Sequence, residues 1–218
     1  MTGLFSRHLG ELVVTSGSLT ACDPWFCDAK RPFVSPLVAP DRYPVVVAIA
    51  QFSNGDQRLA LAAVIFQQHL PVRWENARTT GTGEEGFFGP SGEEVTRATP
   101  SFHDAQTASL VADEFLGYPV DTGTGCFLDA ETAHAFASVL DAHDPGVDDP
   151  LITALKAHRV FTWSWTNYCV NEETGANIVA FSSGWGDGVY PSFFGYGEGE
   201  QLVCLLTDFE VLELQAAS

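Results

Sequence analysis

The feature that most restricts the fold is a pair of apolar runs, residues 43–52 and 59–67, separated by Ser53-Asn54-Gly55-Asp56. Asn-Gly tolerates the positive backbone angles of a tight turn, so the two runs read as a hairpin of well-buried strands. Residues 12–19, 72–75, 160–170, 177–181, 201–206 and 209–214 are further strand candidates. Several of the later runs are too continuously apolar for a sheet open to water on both faces. Something must cover them.

Helical spacing supplies the cover. From Ser101, the residues Ala108, Val111, Ala112 and Phe115 share one face, and Gly117 and Pro119 close the pattern. A second helix follows Asp129 as its N-cap, with Ala133, Phe136, Ala137 and Leu140 recurring at helical intervals. A third starts at Asp149-Pro150, because proline at the first helical position loses no needed hydrogen bond. The expected fold is α+β: a largely antiparallel β-sheet core with about three flanking helices. Its 218 residues suit a single domain, 1–218, with an exposed excursion at 79–99 around the stretch GTGEEGFFGPSGEE.

Composition narrows the partners. Hydrophobic residues at 45% and aromatics at 12% exclude a disordered chain. The net charge of −18, from 28 acidic and 10 basic residues, repels phosphate backbones and anionic lipid. No basic cluster overrides that average, so neither nucleic acid nor a membrane is expected as a partner. A basic protein or a cationic ligand is compatible with it. The chain shows no secretory signal and no apolar run of spanning length, which implies a cytoplasmic protein. Five cysteines leave one unpaired in any full disulfide scheme and so fit reduced thiols.

The stretch FSSGWGDGVYPSFFGY, residues 181–196, packs four glycines, six aromatics and the carboxylate of Asp187 into sixteen positions after a strand-like run. Gly186 and Gly188 would let a ligand approach the backbone. A second loop, Asp121-Thr122-Gly123-Thr124-Gly125-Cys126, has similar chemistry, while Asp129 at its end is explained as a helix cap. Asp23, before Pro24 and Trp25, and Asp208, before Phe209, also fall at strand ends. Each aspartate alone suits a turn. Together, Asp23, Asp121, Asp187 and Asp208 would form an acidic pocket edged by Trp25, Trp185 and Tyr190. Crowded carboxylates raise one pKa, which yields a general acid beside a general base. Alternatively they would bind a hard cation, Mg2+ or Ca2+.

Other motif matches fail on context. Gly81-Thr82-Gly83-Glu84-Glu85-Gly86 follows no strand, and its glutamates repel pyrophosphate. Asp121-Thr122-Gly123 has no second copy to share a proton, as an aspartic protease requires. Cys22 and Cys27 lack a second pair to complete a zinc site. Cys126 reads as a buried thiol rather than a nucleophile.

The same segments carry a resemblance. Gly17 with residues 19–24, Tyr43-Pro44-Val45, Arg73-Trp74-Glu75, Val120-Asp121 with residues 123–129, residues 183–190, and Thr207-Asp208-Phe209 make the chain similar to the bacterial family called domain of unknown function 4241. The resemblance implies a single soluble domain and transfers no activity and no catalytic residues. The chemical reading therefore stands by itself. It describes a cytoplasmic small-molecule enzyme, a hydrolase in specialised metabolism, with Asp121 and Asp187 as acid and base and Asp23 and Asp208 orienting them or holding a metal. Trp25, Trp185, Tyr190, Gly123, Gly125, Gly186 and Gly188 would line the substrate. Two readings compete with it: an acidic immunity or antitoxin-like protein that covers a basic partner, and a noncatalytic small-ligand-binding protein. Aspartates gathered in a hollow favour the enzyme, and aspartates spread over a convex face favour a partner.

Overall fold

The computed structural model describes residues 1–26, 32–80, 114–142 and 149–212. One sheet holds β1 (Gly3–Val14), β3 (Asp41–Gln51), β4 (Gln57–Ile65), β14 (Leu202–Asp208), β13 (Ser192–Tyr196) and β5 (Arg73–Asn76), in that spatial order and antiparallel throughout. The second holds β10 (Trp165–Asn171), β11 (Ala176–Ser182), β9 (Thr124–Asp129) and β2 (Leu19–Cys22), also antiparallel. Two short ribbons pair β8 (Tyr118–Val120) with β12 (Gly188–Tyr190), and β6 (Arg78–Thr80) with β7 (Glu114–Leu116).

The predicted hairpin forms: β3 and β4 run from Val45 opposite Val64 to Gln51 opposite Gln57, with the Asn-Gly turn between them. Along β3 the buried side chains alternate at Tyr43, Val45, Val47 and Ile49, the period of a strand with one covered face. Central strands β9 and β11 are buried on both faces because the sheet has two neighbours. Phe127, Val179 and Phe181 face the first sheet and pack with Leu12, Val47, Leu205 and Phe209. Cys126, Leu128, Ile178 and Ala180 face the other way, toward Ala133 and Phe136 of α1 (Ala130–Asp141) and Leu151 and Leu155 of α2 (Pro150–Ala157). The order of layers is sheet, sheet, helices.

Both of these helices start as their caps dictate. Asp129 is fully buried, and its Oδ1 accepts the Glu131 N–H at 2.9 Å. Its Oδ2 accepts the N–H groups of Thr15 and Ser16 at 3.0 and 2.9 Å, so the cap also pins the turn after β1. Asp149 Oδ1 accepts the N–H groups of Leu151 and Ile152 at 2.7 and 3.0 Å, with Pro150 in the first turn.

The α+β expectation with about three helices is overturned. The described residues are 51% strand and 12% helix, with only two helices. Residues 114–116, taken as the end of a first helix, pair as strand β7. The rest of that helix, from Ser101, lies outside the described residues, as do 81–99 of the excursion and residues 213–214. Glycine hid several strands: β9 contains Gly125, where a Cβ would stand 2.8 Å from Tyr118 Oη. The glycine permits close packing inside a strand and does not end it. Phe209, expected to open a strand, leaves the sheet instead and buries its ring against Phe181 and Tyr190.

Among the described residues no helix is long and apolar enough to cross a membrane. Cys22 is disulfide-bonded, so the expectation of five reduced thiols fails there. Cys126, Cys169 and Cys204 are free.

Candidate functional site

Asp23 follows β2 and is 1% exposed. Its Oδ2 accepts the N–H groups of Asp121 and Thr122 at 3.0 and 2.9 Å and the Thr122 hydroxyl at 2.8 Å. Its Oδ1 accepts the Trp25 N–H at 3.1 Å. Four donors on one carboxylate describe a clamp that fastens the turn after β8 to the end of β2. Gly188 stands opposite Val120 in the β8–β12 ribbon, so Asp121 and Asp187 each lie one residue beyond the same end of it. Both are exposed. The loops behind them touch: the Ser183 N–H donates to the Gly123 carbonyl at 3.0 Å.

The glycine-rich loop is shaped by packing. At Gly184, whose φ is +30°, a Cβ would lie 2.8 Å from the Phe209 carbonyl oxygen. The Gly186 carbonyl accepts the hydroxyls of Ser183 and Tyr190 at 2.8 and 2.7 Å. Tyr190 is therefore a buried pin under the loop, not a wall open to ligand. Burial, aided by the charges of Glu210 and Asp187, raises its pKa to about 12. Asp208 is half-buried, and its Oδ1 accepts the Glu210 N–H at 2.8 Å. Burial raises its pKa, and that hydrogen bond opposes the shift.

The segments that carry Asp23, Asp121 and Asp187 thus meet, and the Asp208 turn reaches the same loop through Phe209 beside Gly184. Asp23 is saturated by donors, Asp208 holds its own turn, and Asp121 and Asp187 face outward. Trp185, 56% exposed, lies across Phe52 at 5.4 Å between ring centroids, with the Arg58 guanidinium 5.2 Å from its ring centre. Among the described residues no three His, Cys, Asp or Glu side chains are grouped to hold a metal ion. The Cys126 thiol is fully buried and donates to the Cys22 carbonyl at 3.2 Å. Burial, reinforced by the Asp23 charge, pushes its pKa far up, which disarms it as a nucleophile.

A hollow does exist next to this knot. An open groove of about 430 Å³ is lined by Trp25, Thr122, Thr124, Ile152, Leu155, Lys156, Arg159 and Ser164. The Trp25 Nε1–H donates to Asp149 Oδ2 at 2.8 Å, the same carboxylate that caps α2. Thr122 donates its hydroxyl proton to Asp23 and so offers the groove only an acceptor. The Ser164 hydroxyl pairs with that of Ser182 at 3.3 Å. Of the candidate site residues named from the sequence, Trp25 lines this groove, together with Thr122 and Thr124 of the second glycine-rich loop. Lys156 and Arg159 escaped notice because two cations are no cluster, and a lysine in the last turn of a helix is explained by the helix dipole.

Two segments, 12–109 and 94–207, match the family model described as "Protein of unknown function (DUF4241)". The chain belongs to that family. No curated protein and no solved structure matches it.

Proposed function

We propose that the protein binds a small molecule in the groove beside α2, as a noncatalytic binding protein. One observation carries this reading: the groove combines an aromatic wall, an apolar floor and convergent hydroxyl and cationic groups, the mixture found in small-molecule sites. Acid-base or metal-assisted hydrolysis requires carboxylates presented to a shared ligand, and among the described residues no carboxylate lines the groove. We place the protein in the cytoplasm and, from its charge, away from nucleic acid and membranes.

The test is a titration of 15N-labelled full-length protein with a panel of neutral, cationic and anionic small molecules. Binders are expected to shift the Trp25 indole signal with the amides of Thr122, Thr124 and Ser164. Shifts confined to Asp121, Asp187 and Trp185 would overturn this reading and restore the carboxylate site. Partner binding is a second reading, favoured by the exposure of Asp121, Asp187 and Trp185. A basic protein captured there should dissociate as salt rises and should lose affinity for the Asp121→Asn, Asp187→Asn double variant.

A further inference from the structure

Strand β1 is an edge of the larger sheet, paired with β3 alone. Its outer side is treated differently along its length. From Glu11 to Val13, side-chain amides of the second sheet occupy it: the Glu11 carbonyl accepts the Nδ2–H groups of Asn167 and Asn177 at 3.0 and 2.7 Å, and the Val13 N–H donates to Asn177 Oδ1 at 2.8 Å. From Gly3 to His8 every residue is exposed, and among the described residues no group outside β3 pairs with that backbone. In an antiparallel pair, alternate residues of an edge strand point their N–H and C=O groups away from the partner strand. The open half of β1 is therefore a row of unpaired donors and acceptors, a template for another strand.

The other edges of the two large sheets are blunted. β5 is four residues long and carries Arg73 and Glu75, and β10 has a bulge between Cys169 and Asn171. β2 is four residues long and wholly buried, and its Leu19 carbonyl accepts the Phe33 N–H at 2.9 Å. The open half of β1 has none of these devices. Gly3-Leu4-Phe5-Ser6-Arg7-His8 contains no proline, no lysine and no carboxylate, and the β1 bulge lies beyond it, between His8 and Gly10. Its arginine is drawn over the rings of Trp163 and Trp165, while Leu4 and Phe5 are 50% and 41% exposed. Charge points to where a second copy can approach. Two chains of net charge −18 repel, and a strip holding Arg7 and His8 without an acidic residue is where that repulsion is weakest.

We infer that two copies of the chain pair antiparallel through residues 3–8 of β1, joining their six-stranded sheets across a two-fold axis. With the axis at Ser6, Phe5 of each copy stands opposite Arg7 of the other, on the face where Arg7 meets Trp163 and Trp165, and Leu4 stands opposite His8. An axis at Arg7 would set two arginines against each other. Six residues from each copy fall below the roughly 20–30 a side of a standard interface, so a dissociation constant of about 10–100 μM is expected.

Sedimentation equilibrium of the full-length protein tests this, with amide hydrogen exchange measured on the same samples. Between about 5 μM and 1 mM the mass should rise from one chain to two, and amides within residues 4–8 should gain protection over the same range. Leu4→Lys, at an exposed position, should weaken the dimer about tenfold with the melting temperature unchanged. A mass of one chain at every concentration would overturn the proposal. So would a dimer that leaves residues 4–8 unprotected and ignores Leu4→Lys, because it forms elsewhere. Protection of these amides in a monomer, brought about only by an added peptide of alternating Glu and Val, would give the edge to a foreign acidic strand and overturn the second copy.

Discussion

Thr122 belongs to two regions built on opposite terms. Its hydroxyl and N–H complete the shell of donors around Asp23, where every polar group faces a partner. It also lines the α2 groove, where Lys156 and Arg159 face solvent. Asp23, Gly123 and Tyr190 look like chemistry in the sequence and prove to be fastenings. Burial distinguishes the two cases: a carboxylate saturated by backbone donors has no free lone pair for a ligand, whereas the side chains at the groove's rim stay in reach of solvent.

The contrast breaks most readily at Asp23. Asp23→Ala strands the N–H groups of Asp121 and Thr122 and should cost about 3–5 kcal/mol in urea denaturation. A loss below about 1 kcal/mol would show that the clamp is not structural. Next come two glycines of one loop. Gly184→Ala drives a methyl into the Phe209 backbone and should cost about 3 kcal/mol. Gly186→Ala, with φ of +111° but nothing within 4 Å, should cost about 1–2 kcal/mol from backbone strain. Equal losses would mean that packing does not set the loop.

Asp208 should move stability the other way. Its folded pKa is raised above 3.8, so the folded state holds its proton more tightly than the unfolded chain. Stability therefore rises as pH falls from above the folded pKa toward 3.8. Asp208→Asn should melt higher than the parent at pH 7, and thermal scans should show the gap closing through that window. A gap independent of pH would contradict the assignment. The smallest effect belongs to the groove: Arg159→Gln should change stability by less than about 0.5 kcal/mol.

How much of this was legible depended on where the physical cause lay. Local causes could be read. Asn54-Gly55 announced the β3–β4 hairpin, and Asp129 and Asp149 announced two helix starts. Nonlocal causes could not. Gly125 looks like a loop residue until Tyr118 is seen against it, and β9 is a strand because two layers cover it. Asp23 binds the Asp121 turn, and the β8–β12 ribbon aligns Asp121 with Asp187. Sequence does not say which oxygens the backbone will claim, and at Asp23 it claims both. The groove stayed hidden because its cations come from a helix end and its aromatic wall from residues 124 positions before the helix cap.

Asp149 grips the first amides of α2 with one oxygen and the Trp25 indole with the other. A visitor that draws the indole aside would loosen the beginning of the helix, and one that presses on it would tighten the same turn. Amide hydrogen exchange at Leu151 and Ile152 is thus an internal gauge of occupancy, readable without a label on the guest.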